Sequence, residues 1–469
     1  TIEETRRAIR LAVPGPAAGV VLSGAANNLI EELQDTESVI CQKLIAIYGT
    51  VKTQFQGRAM PRWEKARQRY LTFLKEFDQH YPETGEVVIA RCGSKICVTG
   101  EHSDAHHGRS VVAPLLDDTL VAIATNNKSS SVKMAAMGND FPKAEYNPSA
   151  LEIKKVTQEK LRSSEWFRYL AYNIHFLRQR IAKAEKIKPE PPSGLCVLVD
   201  GREEYGAIPI SAGLGSSAAL NVATAQAFLG LTGKHLNATQ IAMNVQEAEI
   251  ATGMFTGLDD SFAMMGGGLQ SDNDKIYAVD MDFMPREGKN GQPVLKAKLA
   301  EMPRGLVAIL VNTGLRDPRV QLEYGLRIDE SMMAAYIFSH MLQEKFPAFF
   351  SQFDGPEAID KWLYEKYTDQ ATNSKIKSKN ARTYPLFLRL YYMSLTELQR
   401  VGLDISSGEL NALIDALPDR AKKTDLEQLL GRYLWNDLTQ LGGPTPDNIK
   451  KLTDRLSDGM EKVLPSLQL

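Results

Sequence analysis

The chain of 469 residues is 43% hydrophobic and 24% charged, an ordinary globular composition that argues against wholesale disorder and, at roughly 150 residues per domain, for two to four domains. Its 55 basic and 57 acidic residues leave a net charge of −2, so no global excess of positive charge points to nucleic acid or to a membrane surface. No apolar run reaches the ~18 residues of a membrane-spanning helix, and the first residues show no basic-then-apolar leader, although the chain opens on Thr1 rather than methionine, as a processed or partial chain would. Cys41, Cys92, Cys97 and Cys196 form no CxxC pair and read as free thiols of a reducing cytoplasm. The histidines are scattered without HExxH or paired Cys/His spacing, so nothing suggests a structural zinc.

In chain order, residues 1 to about 85 read as mostly helical. Val13 to Gly24 reads as a loop or boundary, and apolar residues at three- and four-residue spacing predict helices over Glu31–Phe55 and Arg62–Tyr81. The texture changes at Glu86. Val87–Arg91 and Lys95–Val98 predict short strands separated by glycine, continued by Val111–Pro114 and Leu120–Thr125, with a polar loop at Asn126–Ser131. Leu151–Ile187 reads as helix, Lys188–Gly194 as a proline-rich turn and Leu195–Asp200 as a strand. Helices follow over Ser216–Leu231 and Gln240–Ala251, then strands over Lys275–Asp282 and Leu306–Asn312, and mostly helix from Leu322 onward. Strands and helices alternating between helix-rich flanks make an α/β or α+β layered enzyme.

The chemistry concentrates in Pro209–Ala219. Gly213, Leu214 and Gly215 precede Ser216, Ser217 and Ala218, where a helix opens. Glycines let the backbone approach an anion, and a helix N-terminus presents free amides and the positive end of its dipole. The loop is not GxxxxGK[ST], and read alone it also fits a glycine turn with a serine cap. It resembles the PxxxGLGSSAA phosphate loop of the GHMP kinases (galactokinase, homoserine kinase, mevalonate kinase, phosphomevalonate kinase). Upstream, Gly100-Glu101-His102-Ser103-Asp104 resembles the GEHTD of galactokinases. Downstream, Gln246–Glu249 and Gly257–Ser261 resemble their QEAE and GIMDQ, with one residue fewer between Glu249 and Gly253 than that pattern has. Glu323–Arg327 resembles SEYNxRR.

That resemblance, over about residues 70 to 340, implies a two-domain GHMP kinase fold: a ribosomal-protein-S5-like N-terminal domain over 86–300 and a ferredoxin-like C-terminal domain over 301–469. A helical N-terminal extension over 1–85, with no assigned partner, precedes them. It implies ATP and Mg²⁺ as cofactors and a small-molecule sugar as acceptor. Asp260 takes the catalytic aspartate position and Lys95 that of the family's cationic arginine. Glu101, His102, Asp104, Gly257 and Tyr324 take sugar-binding positions. Gly213 to Ala218 cradle phosphate, and Ser217 with Glu249 holds the metal. The expected activity is ATP-dependent phosphorylation of the anomeric hydroxyl of galactose or a related aldose, in the cytoplasm.

Three departures sharpen that reading. Lysine at position 95 keeps the charge but loses arginine's planar fork. Ala105–Gly108 replaces the family's YNGG; its two histidines line a different sugar or simply form a polar loop, and either way the acceptor need not be galactose, while Glu101 and Asp104 favour a neutral hexose over a uronic acid, whose carboxylate they would repel. The family's last glycine-rich motif, GxxxSGxGxGG, is not visible before Leu469, where a missing tail or a degenerate site is expected. Three rivals remain: a kinase for another aldose such as arabinose or N-acetylgalactosamine, a galactokinase relative that binds sugar and ATP as a sensor without turnover, and a GHMP kinase with a non-sugar acceptor, which Gly100–Asp104 argues against.

Overall fold

The computed structural model describes residues 18–50, 52–100, 109–126, 128–137, 141–161, 163–187, 194–202, 205, 207–208, 213–254, 256–266, 268–270, 275–287, 293–301, 338, 341–353, 398–399 and 403–416. The chain divides into two compact units, residues 1–286 with 294–318 and residues 287–293 with 319–469.

The first unit opens with a strand, β1 (Ala18–Ala25), where the sequence suggested a loop. Only its antiparallel partner, met some 65 residues later, makes Val20, Val21 and Leu22 a strand. The expected helix from Glu31 to Phe55 is broken into α1 (Ala26–Gln34), α2 (Val39–Tyr48) and the strand β2 (Lys52–Phe55). The breaks have local causes. The Ser38 hydroxyl caps α2 by accepting the Cys41 amide at 3.2 Å, and Gly49 ends it at φ +73°. Gln56 and Gly57, both at positive φ, then turn β2 back into β3 (Arg58–Pro61). Pro61 precedes α3 (Arg62–His80), close to the expected helix.

The two pairs of short strands expected after Glu86 are two long ones, β4 (Glu86–Thr99) and β5 (Arg109–Asn126). Gly93 does not end β4; the ladder instead shifts register between Gly93 and Lys95. β6 (Val132–Met137) and β7 (Ala144–Tyr146) were not foreseen. The expected helix from Leu151 is helical only over Gln158–Leu161 and α4 (Arg168–Glu185), because residues 152–154 are drawn out along the Tyr172 hydroxyl, which meets the Lys154 amide and the Glu152 carbonyl, each at 3.0 Å. Then follow β8 (Gly194–Asp200), α5 (Ser216–Thr232), α6 (Ala238–Thr252), α7 (Asp259–Gly266), β9 (Gly268–Gln270), β10 (Lys275–Glu287) and β11 (Pro293–Glu301). Among the described residues one nine-stranded sheet runs β1-β4-β5-β8-β6-β7, with β10 pairing β5, β9 and β11. β6 and β8 run parallel.

The sheet separates two cores, as period-two alternation requires. Ala90, Cys92, Val121, Ile123 and Val197 face α4 and α5. Val87, Ile89, Leu120, Ala122 and Leu198 face Leu29, Leu33, Leu44, Tyr70, Phe73 and Phe77 of α1 to α3. The helical stretch at the start of the chain is thus one layer of this unit. Phe73, fully buried, contributes about 1.5–3 kcal/mol by its transfer from water.

In the second unit Phe338, Leu342, Phe350, Leu398, Leu403, Ile405 and Leu413 form a core, and a capping box of Ser406 and Glu409 starts the helix Ser407–Asp415. The strand expected at Leu306–Asn312 and the ferredoxin-like architecture expected of this part lie outside the described residues.

Candidate active site

Three segments converge at the start of α5. The first is the glycine loop. Gly215 stands at the N-cap position in the left-handed region, φ +68°, and no side chain caps the helix. α2 and α6 differ: Ser38 caps the one, and an Asn237–Gln240 capping box closes the other. The serine-cap reading of the loop therefore fails, and the first amides of α5 stay available to an anion. Ser216 and Ser217 begin the helix and are partly exposed. Pro209 to Ala212 lie outside the described residues.

The second segment is β4 beyond its register shift. The Lys95 amide donates to the Leu214 carbonyl at 3.3 Å, which joins the strand to the loop. The Lys95 side chain is 3% exposed, and its Nζ lies 2.6 Å from Oδ1 of Asp260 and 3.9 Å from Oδ2 of Asp259. Both aspartates sit in the first turn of α7, where the helix dipole favours negative charge. Asp260 is the more open, at 23% exposed. A Cβ on Gly215 would stand 2.9 Å from Oδ2 of Asp260 and 2.8 Å from Cε of Met264. Only glycine lets this carboxylate lie against the start of α5.

The third segment is α6 and the turn after it. Glu249 is buried, and burial pushes its carboxyl up to about 7 against the hydrogen bonds it receives from Ser217, Thr256 and Asn221; the charge of Asp260 raises it further. The Asn221 amide lies 3.5 Å from Oε1 of Glu249 and belongs to a buried amide chain. Asn173 donates to Oδ1 of Asn221 at 3.1 Å, and Asn244 donates to Oδ1 of Asn173 at 2.6 Å, which ties α4, α5 and α6 together behind the carboxylate. Gln246 donates to the Thr256 carbonyl at 3.2 Å and so fixes the turn holding Gly257.

The structure thus brings together Lys95, Gly213 to Ala218, Glu249, Gly257 and Asp260, residues 120 or more positions apart in part. Glu101, His102, Asp104 and Tyr324 lie outside the described residues. Asp259, Thr256, Asn221 and Gln246 were missed. The signal for Asp259 was present as a second acid beside Asp260; the other three act through contacts that no spacing reveals. The Ser217 hydroxyl and the Glu249 carboxylate are hard oxygen donors in contact, a set that fits Mg²⁺, which takes few protein ligands and completes its shell with phosphate and water. Among the described residues no group of three or more His, Cys, Asp or Glu could hold a metal.

A helix opened by glycine, with no side chain capping it, thus stands beside one buried lysine and the carboxylates of Asp259, Asp260 and Glu249. Residues 181–268 match the GHMP kinases N terminal domain. That match covers less than a fifth of the chain and runs from the end of α4 to α7, with the glycine loop between them. Among solved structures, the chain is similar to Lactococcus lactis galactokinase complexed with galactose, at 16% identity over 73% of each chain and a TM-score of 0.41. It is also similar to Methanococcus jannaschii mevalonate kinase, at 20% identity over 41% of this chain and 53% of that one, with a TM-score of 0.31. The chain spans about half the length of the mevalonate kinases it matches. Among the described residues no helix is long and apolar enough to cross a membrane.

Proposed function

We propose that the chain is an ATP-dependent sugar 1-kinase that phosphorylates the anomeric hydroxyl of galactose or a related aldose. The observation that carries this reading is the Asp260 carboxylate lying against the start of an uncapped helix with Lys95 on its other oxygen. Phosphoryl transfer asks a protein for positioning and charge neutralisation more than for covalent chemistry. The amides from Gly213 to Ala218 bind the ATP phosphates. Asp260, ionised beside Lys95, accepts the proton of the acceptor hydroxyl. Lys95 holds that carboxylate in place and offers positive charge to the transferring group. Ser217 and Glu249 would hold Mg²⁺, which neutralises phosphate charge when bound. Glu101, His102, Asp104 and Tyr324 are proposed, from the resemblance alone, to bind the sugar. Sugar and ATP are the proposed partners, with neither nucleic acid nor membrane among them, and the four free thiols suit a cytoplasmic site. The boundary near 300 remains proposed, while residues 18–85 belong with the first unit, whose sheet and core they complete.

A second reading, a sensor that binds sugar and ATP without turnover, is favoured by Lys95 itself, because a lysine engaging the base's own oxygen competes with the substrate hydroxyl for it. ADP release with Mg-ATP across a panel of neutral and acidic aldoses separates the two. Turnover with one sugar supports the kinase and names the acceptor; calorimetric binding of sugar and ATP with no turnover supports the sensor. Glu101→Ala is expected to weaken sugar binding about tenfold while leaving ATP binding unchanged, as loss of a charged acceptor predicts. An unchanged sugar affinity removes Glu101 from the site.

A further inference from the structure

We propose that Asp259 is a positioning residue for Lys95: it keeps the Lys95 ammonium charged and in place while Asp260 holds the substrate proton. The inference rests on the reading of Asp260 as the base.

The argument begins with burial. Lys95 is 3% exposed, and an ammonium taken out of water keeps its proton only beside negative charge. Its nearest carboxylate oxygen, on Asp260, is 2.6 Å away. In the proposed reaction that same carboxylate takes up the hydroxyl proton and becomes neutral. Lys95 would lose its closest counter-charge at the moment when charge on the transferring phosphoryl group must be stabilised. Asp259 supplies a charge that does not alternate. Its Oδ2 lies 3.9 Å from Nζ, its side chain is 8% exposed, and it is the less open of the two aspartates. Adjacent residues of a helix point about 100° apart, so Asp259 and Asp260 reach the ammonium from different directions. The 3.9 Å separation leaves the tight hydrogen bond to Asp260 and keeps Asp259 within the range of a strong ionic interaction in a dry setting.

A merely structural aspartate at the start of α7 would behave otherwise: its loss would lower stability and act without regard to Lys95. The test is therefore a double-mutant cycle with a spectroscopic arm. Steady-state kinetics on the full chain are expected to show that Asp259→Asn lowers kcat about tenfold with KM for sugar and ATP unchanged, and adds nothing to the loss already caused by Lys95→Met. In protein carrying ¹⁵N-labelled lysine, the Lys95 ammonium resonance, assigned by its disappearance in Lys95→Met, should persist at neutral pH in Asp260→Asn, which imitates the protonated base. It should vanish in the Asp259→Asn, Asp260→Asn double variant. Asp259→Ser takes the place of Asp259→Asn if the latter does not fold. An unchanged kcat in an active enzyme, an equal loss in the Lys95→Met background, or an ammonium signal that survives in the double variant overturns the role of Asp259. A wild-type protein that turns over no sugar instead overturns the kinase reading, and with it any catalytic purpose for Asp259.

Discussion

Strand β4 carries two buried cations four residues apart, and they live in opposite surroundings. Arg91 points toward the α1 to α3 layer; its Nε lies 2.6 Å from Oδ2 of Asp118, and its guanidinium stands 5.2 Å from the Tyr48 ring. Arg69 of α3 bonds both Asp118, at 2.5 Å, and Asp200, at 3.0 Å, and adds the carbonyls of the same two residues at 3.1 Å. Asp200 also receives the amide and side chain of Arg202, at 2.8–3.1 Å. Burial alone would raise the Asp200 carboxyl, but those bonds and the charges of Arg69 and Arg202 hold it below its ordinary value. Lys95, past the register shift, reaches the other layer, where one ammonium meets two aspartates and a neighbouring glutamate is pushed up to about 7. The first cluster is buried throughout, at 10% exposure or less; the second includes the more open Asp260 carboxylate, at 23%. A wholly buried ionic network holds structure, whereas a buried cation beside a more open carboxylate and a glutamate with a raised pKa is the kind of arrangement that functional sites use.

The contrast is broken most sharply by Asp260→Asn. Turnover should fall about a thousandfold, the size of a lost general base, while the thermal midpoint and calorimetric sugar binding hold. Equal loss of binding or of folding would show that Asp260 belongs to the structural kind. Arg69→Met should do the reverse. It strips two buried carboxylates of their shared partner and is expected to cost about 3–5 kcal/mol in urea unfolding, with kcat/KM of the folded protein unchanged. A lowered kcat/KM at full folding would tie the outer network to catalysis.

Glu249→Gln tests whether the inner cluster trades stability for function. The Glu249 carboxyl is raised from an ordinary 4.5 to about 7, so its neutral form suits the fold. That contribution is fully present below pH 4.5 and is lost as pH rises through about 7. Free of nucleotide and magnesium at pH 8, the variant should therefore melt a few degrees above wild type, and the two should converge near pH 5. The Mg²⁺ needed for half-maximal rate should rise about tenfold, as for a lost carboxylate ligand. A variant that melts lower at pH 8 would make Glu249 a structural acid.

The two clusters were not equally legible. Lys95, Gly213 to Ala218, Glu249 and Asp260 were named from linear motifs, and the structure brings them into one place, because each motif sits on an element whose local signals agree with it. The Ser216–Thr232 helix and the Gly194–Asp200 strand came within a residue or two for the same reason. Arg69, Arg91, Asp118, Asp200 and Arg202 passed unnoticed: a buried charge looks like a solvated one until its partner, 131 positions away for Arg69 and Asp200, is known. β1 was hidden in a segment whose prolines and glycines read as loop, and the breaks at Ser38 and Gly49 were missed because apolar spacing alone does not distinguish one long helix from two helices and a hairpin. Asp259 was not singled out beside Asp260, since only the fold tells which of two adjacent acids is the more buried.

Gly215→Ala should produce the smallest effect and the one that joins the two kinds of evidence. The sequence offers a glycine for close approach to phosphate, and the structure adds a second demand, because the missing Cβ is the space into which Asp260 and Met264 fit. The Met264 terminus and the Asp260 carboxylate can each shift by a few tenths of an ångström, so the fold should survive, with about 1 kcal/mol lost to the left-handed backbone. The base would be displaced by a similar distance. A misplacement on this scale should lower kcat about tenfold, with ATP affinity reduced less, since the α5 amides remain. If kcat holds and only ATP binding weakens, Gly215 serves phosphate alone and Asp260 does not need the contact. If kcat falls at constant ATP affinity, the glycine is there for the base as much as for the nucleotide.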